Sequence, residues 1–320
     1  MNKVITIFGP TASGKTNISI KLAQHLIAKE SRNAEIINFD SLLFYRELNI
    51  GTAKPTLDER MGVKHHLIDI ASAHHPINAA DYVKFAKDKI EELHHNNIIP
   101  ILVGGSGFYL RALIKGMYQS TTPDPIIKIK VDELFRDQGI SGIREFLQQY
   151  DPKSLTQLHE NDVYRNCRAV EFFLTTGQPI SSARQEMEEK NPYDLSQNCQ
   201  NDWDCFHLYL DLPKEQHYPI IVKRAHEMLR QGLVNEVKEL LNSGFSGVEK
   251  PLQSIGYKET QEFLKKVITS ESELIERISI STRQLAKSQR TWFKKISPKH
   301  DFSPLGDFSK IVEKIHLYLN

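Results

Sequence analysis

Residues 3–16 read KVITIFGPTASGKT, a short β-branched run that leads into a glycine-containing loop. Residues 9–16 within this stretch match the phosphate-binding pattern G-x-x-x-x-G-K-[ST]. The segment from about 15 to 29 carries Ile18, Leu22 and Leu26 four residues apart, which indicates a helix. A strand, this loop and a helix in succession are the context that the pattern requires. The stretch therefore predicts an anion-binding loop in an α/β fold.

The residue types of this loop suit phosphate oxygens. Converging backbone amides and the positive end of a helix dipole bind one anion. Lys15 adds a positive charge, and Thr16 offers a hydroxyl to Mg²⁺. A nucleoside triphosphate and a pyrophosphate ester fit such a loop equally well, so the ligand stays open at this point. The predicted phosphate contacts are Gly9, Pro10, Thr11, Ala12, Ser13, Gly14, Lys15 and Thr16.

Strand and helix patterns alternate on both sides of a charged helical stretch. This alternation predicts βαβ units and a parallel sheet that is covered on both faces. The predicted fold class is α/β: a P-loop-type core over residues 1–117 and 201–320, with a parallel sheet flanked by helices, and a mostly helical insertion over 118–200. The predicted strands are 3–8, 34–39, 66–70, 98–103 and 206–212, and the predicted helices are 15–29, 79–95, 219–231, 233–242 and 273–295.

The composition is that of an ordinary globular protein. The 320 residues are 40% hydrophobic and 25% charged, which is enough to bury a sizeable core. The 41 Lys and Arg nearly balance 40 Asp and Glu, which excludes a basic coat for nucleic acid but not a local basic patch. We see no signal peptide, no apolar run of the roughly 18 residues that a membrane span needs, and too few cysteines for a disulfide framework. We therefore expect a cytoplasmic monomer that neither binds a membrane nor requires a protein partner.

Two polar sites follow predicted strands near the phosphate loop. Asp40 ends the second strand, at the sheet edge where α/β proteins bind ligands. Its carboxylate suits a general base, although capping a helix or holding a Mg²⁺ water would explain it as well. Ser106 follows Gly104 and Gly105. Two glycines allow the backbone to approach a ligand closely, although they would also be found in an ordinary strand-to-helix turn.

A basic helix is predicted near the end of the sequence. From Arg277 to Lys299 there are seven Lys and Arg and no Asp or Glu. Arg283, Lys287, Arg290 and Lys294 follow one another at spacings of 4, 3 and 4, so we expect them on one helical face, with Leu285 and Trp292 docked on the core. One concentrated basic stripe is typical of local phosphate contact, although a solvated amphipathic helix would also carry it.

The sequence resembles the tRNA dimethylallyltransferase family, also called tRNA isopentenyltransferases. The combination of DS, Y and GTAKP with the late TRQ and TWF is the specific part of this resemblance. The matching blocks are GPTASGKT (9–16), FDSLLFYRELNIGTAKP (39–55), GGSGFYLRAL (104–113), NDVYRNCRAVE (161–171), MLRQGLVNEV (228–237), SIGYKE (254–259) and TRQLAKSQRTWF (282–293).

The resemblance implies transfer of the dimethylallyl group of dimethylallyl diphosphate to N6 of the adenosine 3′ to a tRNA anticodon, with Mg²⁺. It assigns catalytic roles to Asp40 as the base, to Thr16 and to Arg224, which helps to bind diphosphate. Leu43 stands where the family frequently has Gln, and Ile220 where it commonly has Arg. The implied contacts with the tRNA anticodon stem-loop are Asp40, Ser41, Leu42, Leu43, Ser106, Lys128, Tyr164, Arg165, Asn166, Cys167 and Arg168, and the basic helix adds Arg283, Lys287 and Arg290.

Three rival functions stay open. An adenylate isopentenyltransferase would prenylate free adenine nucleotides, although the long insertion and the basic helix favour RNA. A P-loop kinase of a small metabolite shares the loop, although no convincing Walker B acid and no N-K-x-D motif follows it. An RNA-binding module with a vestigial nucleotide loop would form no product at all.

Overall fold

Strands and helices alternate through most of the computed structural model, which describes residues 2–116, 124–188 (186–188 without side chains), 191–196, 199 and 202–320. The strands are β1 (Asn2–Phe8), β2 (Ala34–Asn38), β3 (His65–His66), β4 (Ile99–Gly104), β5 (Trp203–Leu210) and β6 (His300–Phe302). The helices are α1 (Lys15–Glu30), α2 (Ala79–His95), α3 (Gly107–Lys115), α4 (Pro125–Tyr150), α5 (Pro152–Gln157), α6 (Val163–Thr176), α7 (Ile180–Glu188), α8 (Lys214–Arg230), α9 (Leu233–Asn242), α10 (Tyr257–Leu264), α11 (Glu271–Phe293) and α12 (Phe308–Leu319).

All the strand pairs are parallel, in the order β3-β2-β4-β1-β5-β6. The phosphate-loop strand β1 is flanked by β4 and β5, with Ile5 opposite both Ile101 and Phe206. Parallel strands end at the same sheet edge, so the loops after β1, β2, β4 and β5 meet there. This topology confirms the predicted α/β class with a P-loop-type core.

The side chains of β1 alternate between two buried layers, as a strand covered on both faces requires. Val4 and Phe8 pack with α2 and with Phe293 of α11. Ile5 and Ile7 pack with α1 and with Ile311 of α12. The sheet is thus covered on both faces by apolar helix faces that lie far apart in the sequence.

A third apolar cluster lies beside the sheet and joins the loop after β2 to α8, α9, α10 and α11. Its buried side chains include Leu48 of the loop, Leu233 and Val237 of α9, and Tyr257 at the start of α10. The loop after β2 is therefore packed against these helices.

Residues 116–192 form a compact unit of their own, and residues 1–115 and 193–320 form the other. The helices α4 to α7 share a separate core that includes Ile143, Leu147 and Val170. Helix α4 is interrupted at Gly139, whose φ of 64° and ψ of −160° are not helical. The predicted limits of the insertion, 118 and 200, lie outside the described residues.

Most of the predicted elements are confirmed within a few residues, and two predictions are wrong. The strand predicted at 66–70 ends at His66, because Leu67 and Asp69 have φ values of 58° and 60° that no strand accommodates. Leu285 does not dock on the core, since it is 40% exposed. No helix among the described residues is long and apolar enough to cross a membrane.

Candidate active site

The phosphate loop begins at Gly9, which packs closely against the end of β5. A Cβ atom at Gly9 would lie 2.1 Å from the carbonyl oxygen of Leu210, so this position accepts only glycine. The backbone N–H of Ser13 donates to the carbonyl oxygen of Pro10 at 3.2 Å and closes the loop. The Ser13 side chain is buried, so its hydroxyl is not presented to solvent. Gly14, Lys15 and Thr16 follow at the amino end of α1, where helix N–H groups lack intrahelical partners.

The ammonium of Lys15 folds back over its own loop. Its Nζ donates to the carbonyl oxygens of Gly9 at 3.0 Å and Pro10 at 2.7 Å. Burial lowers the pKa of Lys15 to about 8, the charge of Asp40 opposes this shift, and the charge of Arg224 adds to it. The three charged groups therefore share one electrostatic environment.

The carboxylate of Asp40 is oriented by its own neighbours at the end of β2. The backbone N–H of Asp40 donates to Oδ1 of Asn38 at 2.8 Å, and Nδ2 of Asn38 donates to the Asp40 carbonyl at 3.0 Å. Oδ1 of Asp40 accepts from the backbone N–H of Leu42 at 3.2 Å. Its Oδ2 lies beside Gly105, because a Cβ there would sit 3.6 Å from that oxygen.

Ser106 holds the loop that carries Asp40. Its Oγ accepts from the backbone N–H of Ser41 at 3.1 Å and lies 3.3 Å from the Ser41 hydroxyl. The hydroxyl that we predicted to face RNA therefore also joins the end of β4 to the end of β2. Ser41, Leu42 and Leu43 are all half-buried in this loop.

Arg224 reaches this edge from α8. Its Nη2 donates to the carbonyl oxygen of Thr52 at 3.2 Å, in the loop after β2. Burial lowers the pKa of Arg224, and the nearby charge of Asp40 opposes that shift. The structure thus brings together Lys15, Asp40 and Arg224, which are the residues that the sequence analysis predicted to share the chemistry.

A cavity at this edge is lined by both polar and apolar residues. Its polar lining is Lys15, Thr16, Ser19, Asn38, Asp40 and His65. Its apolar lining is Ile36, Leu43, Pro55, Ile68 and Val103. The arrangement suits a ligand that combines a phosphorylated head with a short hydrocarbon chain.

The donor set also fits a magnesium ion that a substrate helps to hold. Mg²⁺ typically binds one or two protein oxygens together with waters and substrate phosphates. Thr16 is an exposed residue, and Thr16 and Asp40 both line the cavity. Within the described ranges, no three His, Cys, Asp or Glu side chains cluster as a protein-only metal site would require.

The sequence matches the family model of IPP transferase over residues 43–296. It is 36% identical to the tRNA dimethylallyltransferase 2 of Geotalea daltonii, over 92% of this chain and 85% of that protein. It is 37% identical to the tRNA dimethylallyltransferase of Geobacter sulfurreducens, over 92% of this chain and 89% of that protein. The chain belongs to the IPP transferase family.

Solved structures of family members have the same fold. The tRNA isopentenylpyrophosphate transferase of Bacillus halodurans superposes with a TM-score of 0.69 at 30% identity, covering 100% of this chain and 96% of that one. A eukaryotic dimethylallyltransferase acting on tRNA gives a TM-score of 0.79 at 26% identity, covering 99% of this chain and 78% of that one.

The basic face predicted on α11 is only partly exposed. Arg283 and Lys287 are exposed, and the Arg283 guanidinium lies 4.7 Å from the ring centre of Tyr218. Arg290 instead points inward, with Nε 2.9 Å from both carboxylate oxygens of Asp211 and a side chain that is 12% exposed. Because the helix is turned so that Phe293 is buried, Arg290 lies toward the sheet edge and away from the exposed face of Arg283 and Lys287, and its predicted contact with tRNA stays a prediction.

The predicted RNA residues of the insertion behave differently from one another. Asp162 caps α6, since its side chain accepts from the backbone N–H of Arg165 at 3.1 Å. Tyr164 and Arg165 are exposed on the first turn, Cys167 and Arg168 are half-buried, and Arg168 forms an ion pair with Glu171 at 2.9 Å. The side chain of Asn166 is fully buried and donates to the carbonyls of His159 and Asp162, so its predicted contact with tRNA stays a prediction. Lys128 is exposed on α4.

Several residues at this edge were missed by the sequence analysis. Asn38 is a polar residue in an otherwise apolar strand, and Asp211 follows a strand at the same edge as Asp40. Both features are visible in the sequence and could have indicated site residues. Gln289 and His217 hold the loop at Thr11 from helices distant in sequence. Only the fold brings those two residues to the loop.

Proposed function

We propose that this protein transfers the dimethylallyl group of dimethylallyl diphosphate to N6 of the adenosine that is 3′-adjacent to a tRNA anticodon. The observation that carries the proposal is the cavity that joins Lys15, Thr16 and Asp40 to an apolar pocket. The family relationship of the chain supports the same reaction. A five-carbon chain suits the apolar part, and its diphosphate suits the loop.

The leaving group is bound by positive charge and oriented amides. The C–O bond of the allylic ester breaks as the C–N6 bond forms, and the departing diphosphate takes the electron pair. Lys15, Arg224 and the backbone N–H groups at the start of α1 stabilise this developing charge. The Thr16 hydroxyl, with Asp40 nearby, would hold Mg²⁺, which when bound would neutralise further charge on the diphosphate.

Asp40 removes the proton that N6 loses. The exocyclic amine of adenine is a weak nucleophile, so a base that accepts its proton as the new bond forms lowers the barrier. Asn38 and the N–H of Leu42 fix the orientation of Asp40 while its Oδ2 stays toward Gly105. This geometry favours a base over a helix cap, since the carboxylate stands at a strand end rather than at the start of a helix.

RNA contact is proposed for the exposed groups of both units. Arg283 and Lys287 of α11 meet phosphates, and Tyr164 and Arg165 of α6 offer an aromatic ring and a cation to an unstacked loop base. The target adenosine must leave its stack to reach a cavity at a sheet edge. Ser41, Leu42 and Leu43 carry the loop that it would meet.

The decisive experiment combines the protein with dimethylallyl diphosphate, Mg²⁺ and unmodified tRNA, followed by mass spectrometry of the nucleosides. We expect N6-dimethylallyladenosine from tRNA and none from parallel reactions with AMP or ATP as acceptor. Product from the free nucleotides would support the adenylate enzyme instead. Transfer of phosphate from ATP to a metabolite would support a kinase, and RNA binding without any product would support a binding module.

The role of Asp40 is tested by Asp40→Ala. We expect the chemical step to slow by roughly 10²- to 10⁴-fold with little change in tRNA affinity, because the variant lacks the base that accepts the N6 proton. Asp58→Ala, which alters an exposed aspartate of the same unit, is the matched control. Normal turnover by the Asp40 variant would refute the assignment.

A further inference from the structure

Glu236 of α9 holds three consecutive backbone amides of the loop after β2. Its Oε2 accepts from the N–H of Asn49 at 3.2 Å and of Ile50 at 2.8 Å. Its Oε1 accepts from the N–H of Gly51 at 3.3 Å. We call this group the carboxylate clamp: the Glu236 side chain, the N–H groups of residues 49–51 and the hydroxyl of Tyr257.

Tyr257 completes the clamp from α10. Its hydroxyl donates to Oε1 of Glu236 at 2.6 Å. Burial raises the pKa of Tyr257, and the charge of Glu236 raises it further, so the phenol stays protonated and donates. Its ring occupies the space beside Gly51, where a Cβ atom would lie 2.4 Å from a ring carbon. The turn at residues 49–51 therefore packs directly against the Tyr257 ring, with no room for a side chain at position 51.

The clamped turn leads directly to the partner of Arg224. The Ala53 N–H donates to the Ile50 carbonyl at 2.9 Å, and the Thr52 hydroxyl donates to the Leu48 carbonyl at 3.0 Å. These bonds fix the Thr52 carbonyl, which accepts from Nη2 of Arg224 at 3.2 Å. One chain of bonded groups thus runs from Glu236 to the cation beside Asp40.

We infer that Glu236 is a positioning residue for the diphosphate site, acting through the 49–52 turn and the Thr52 carbonyl on the guanidinium of Arg224. This inference rests on the proposed function, because it gives Arg224 a diphosphate to bind. It also explains why three stretches far apart in sequence, 48–52, 233–237 and 256–259, meet beside the site. The glutamate touches no reacting atom.

Glu236→Gln tests the inference with little change in size. The amide would turn an N–H donor toward backbone N–H groups, so the turn loses at least one of its acceptors. We expect the affinity for inorganic pyrophosphate, measured by calorimetry with Mg²⁺, to fall by roughly 10- to 100-fold. The KM for dimethylallyl diphosphate should rise, whereas the KM for tRNA should stay within about twofold. Tyr257→Phe removes one bond to the same carboxylate and serves as the milder variant if the first does not fold.

The control is another glutamate with the same chemistry. Glu249 accepts from the backbone N–H groups of Ser246 and Gly247, both at 2.8 Å, whereas the hydrogen bond from Arg224 goes to Thr52. Glu249→Gln should leave pyrophosphate affinity and both KM values unchanged. An equal loss in this variant would mean that only general stability is being measured.

A double-mutant cycle with Arg224→Ala decides whether the effect passes through Arg224. In the Arg224→Ala background, Glu236→Gln should lower pyrophosphate affinity by less than about twofold, because its target is gone. An undiminished loss in that background would overturn the inference. Wild-type protein that binds no pyrophosphate would refute the proposed function instead, so the two failures are distinguishable.

Discussion

The side chain of Gln289 accepts a hydrogen bond from the backbone N–H of Thr11 at 2.7 Å. Its amide nitrogen donates to the carbonyl of Gly105 at 2.9 Å, so one residue of α11 joins the loops after β1 and β4. His217 holds Thr11 from the other side, because its Nε2–H donates to the Thr11 carbonyl at 2.8 Å. The phosphate loop is therefore positioned by two helices that follow it by more than two hundred residues.

Gln289→Ala should loosen the phosphate loop. The Thr11 N–H and the Gly105 carbonyl would both lose their partner, and a misplaced loop weakens transition-state binding by roughly tenfold or more. We expect a higher KM for dimethylallyl diphosphate in steady-state assays. Gln284→Ala, at an exposed glutamine of the same helix, should have no effect. Equal KM values for the two variants would contradict the positioning role.

The ion pair between Arg290 and Asp211 should contribute to stability rather than to RNA binding. Nη2 of Arg290 also lies 2.9 Å from Nδ1 of His217, and the Tyr209 hydroxyl donates to Asp211 at 2.9 Å. Removing one partner leaves a half-buried charge, so Arg290→Met should lower the free energy of unfolding by roughly 3 kcal/mol. Urea denaturation measures this change. Lys287→Met, at an exposed site one turn away, should change it by less than about 0.5 kcal/mol.

The sequence predicted those site residues whose roles depend on their own segment of chain. The phosphate loop and Asp40 follow from strand ends and residue types, because parallel strands bring their carboxyl ends together whatever the packing details. The inward position of Arg290 could not be predicted, since helical spacing says which residues share a face but not which face is buried. Gln289, His217 and Glu236 were invisible as site residues, because their roles depend on contacts between segments far apart in sequence.

The depressed pKa of Lys15 should make diphosphate binding depend on pH. The free protein loses this proton near pH 8, so the cation that binds diphosphate is present below about 8 and is lost as the pH rises. Affinity for a diphosphate should fall by up to about tenfold per pH unit above that value. Lys15→Arg stays charged throughout this range. Titration of the diphosphate affects wild-type protein and Lys15→Arg equally, so it cancels in the ratio of their affinities. A ratio that is constant from pH 7 to about 10 would refute the prediction.

The exposed cations of α11 should set the salt dependence of tRNA binding. Each phosphate contact that is lost lowers the slope of log K against log salt by roughly 0.7 to 0.9. Lys287→Met and Arg283→Met should each lower the slope by about that amount, as titrations at several salt concentrations would measure. Lys310→Met removes an exposed lysine from α12, on the other face of the sheet, and should leave the slope unchanged. Arg290→Met, measured under conditions in which the variant is folded, should also leave the slope unchanged, because the guanidinium of Arg290 is bound to Asp211. A lower slope for Arg290→Met would restore that residue to the RNA-binding face.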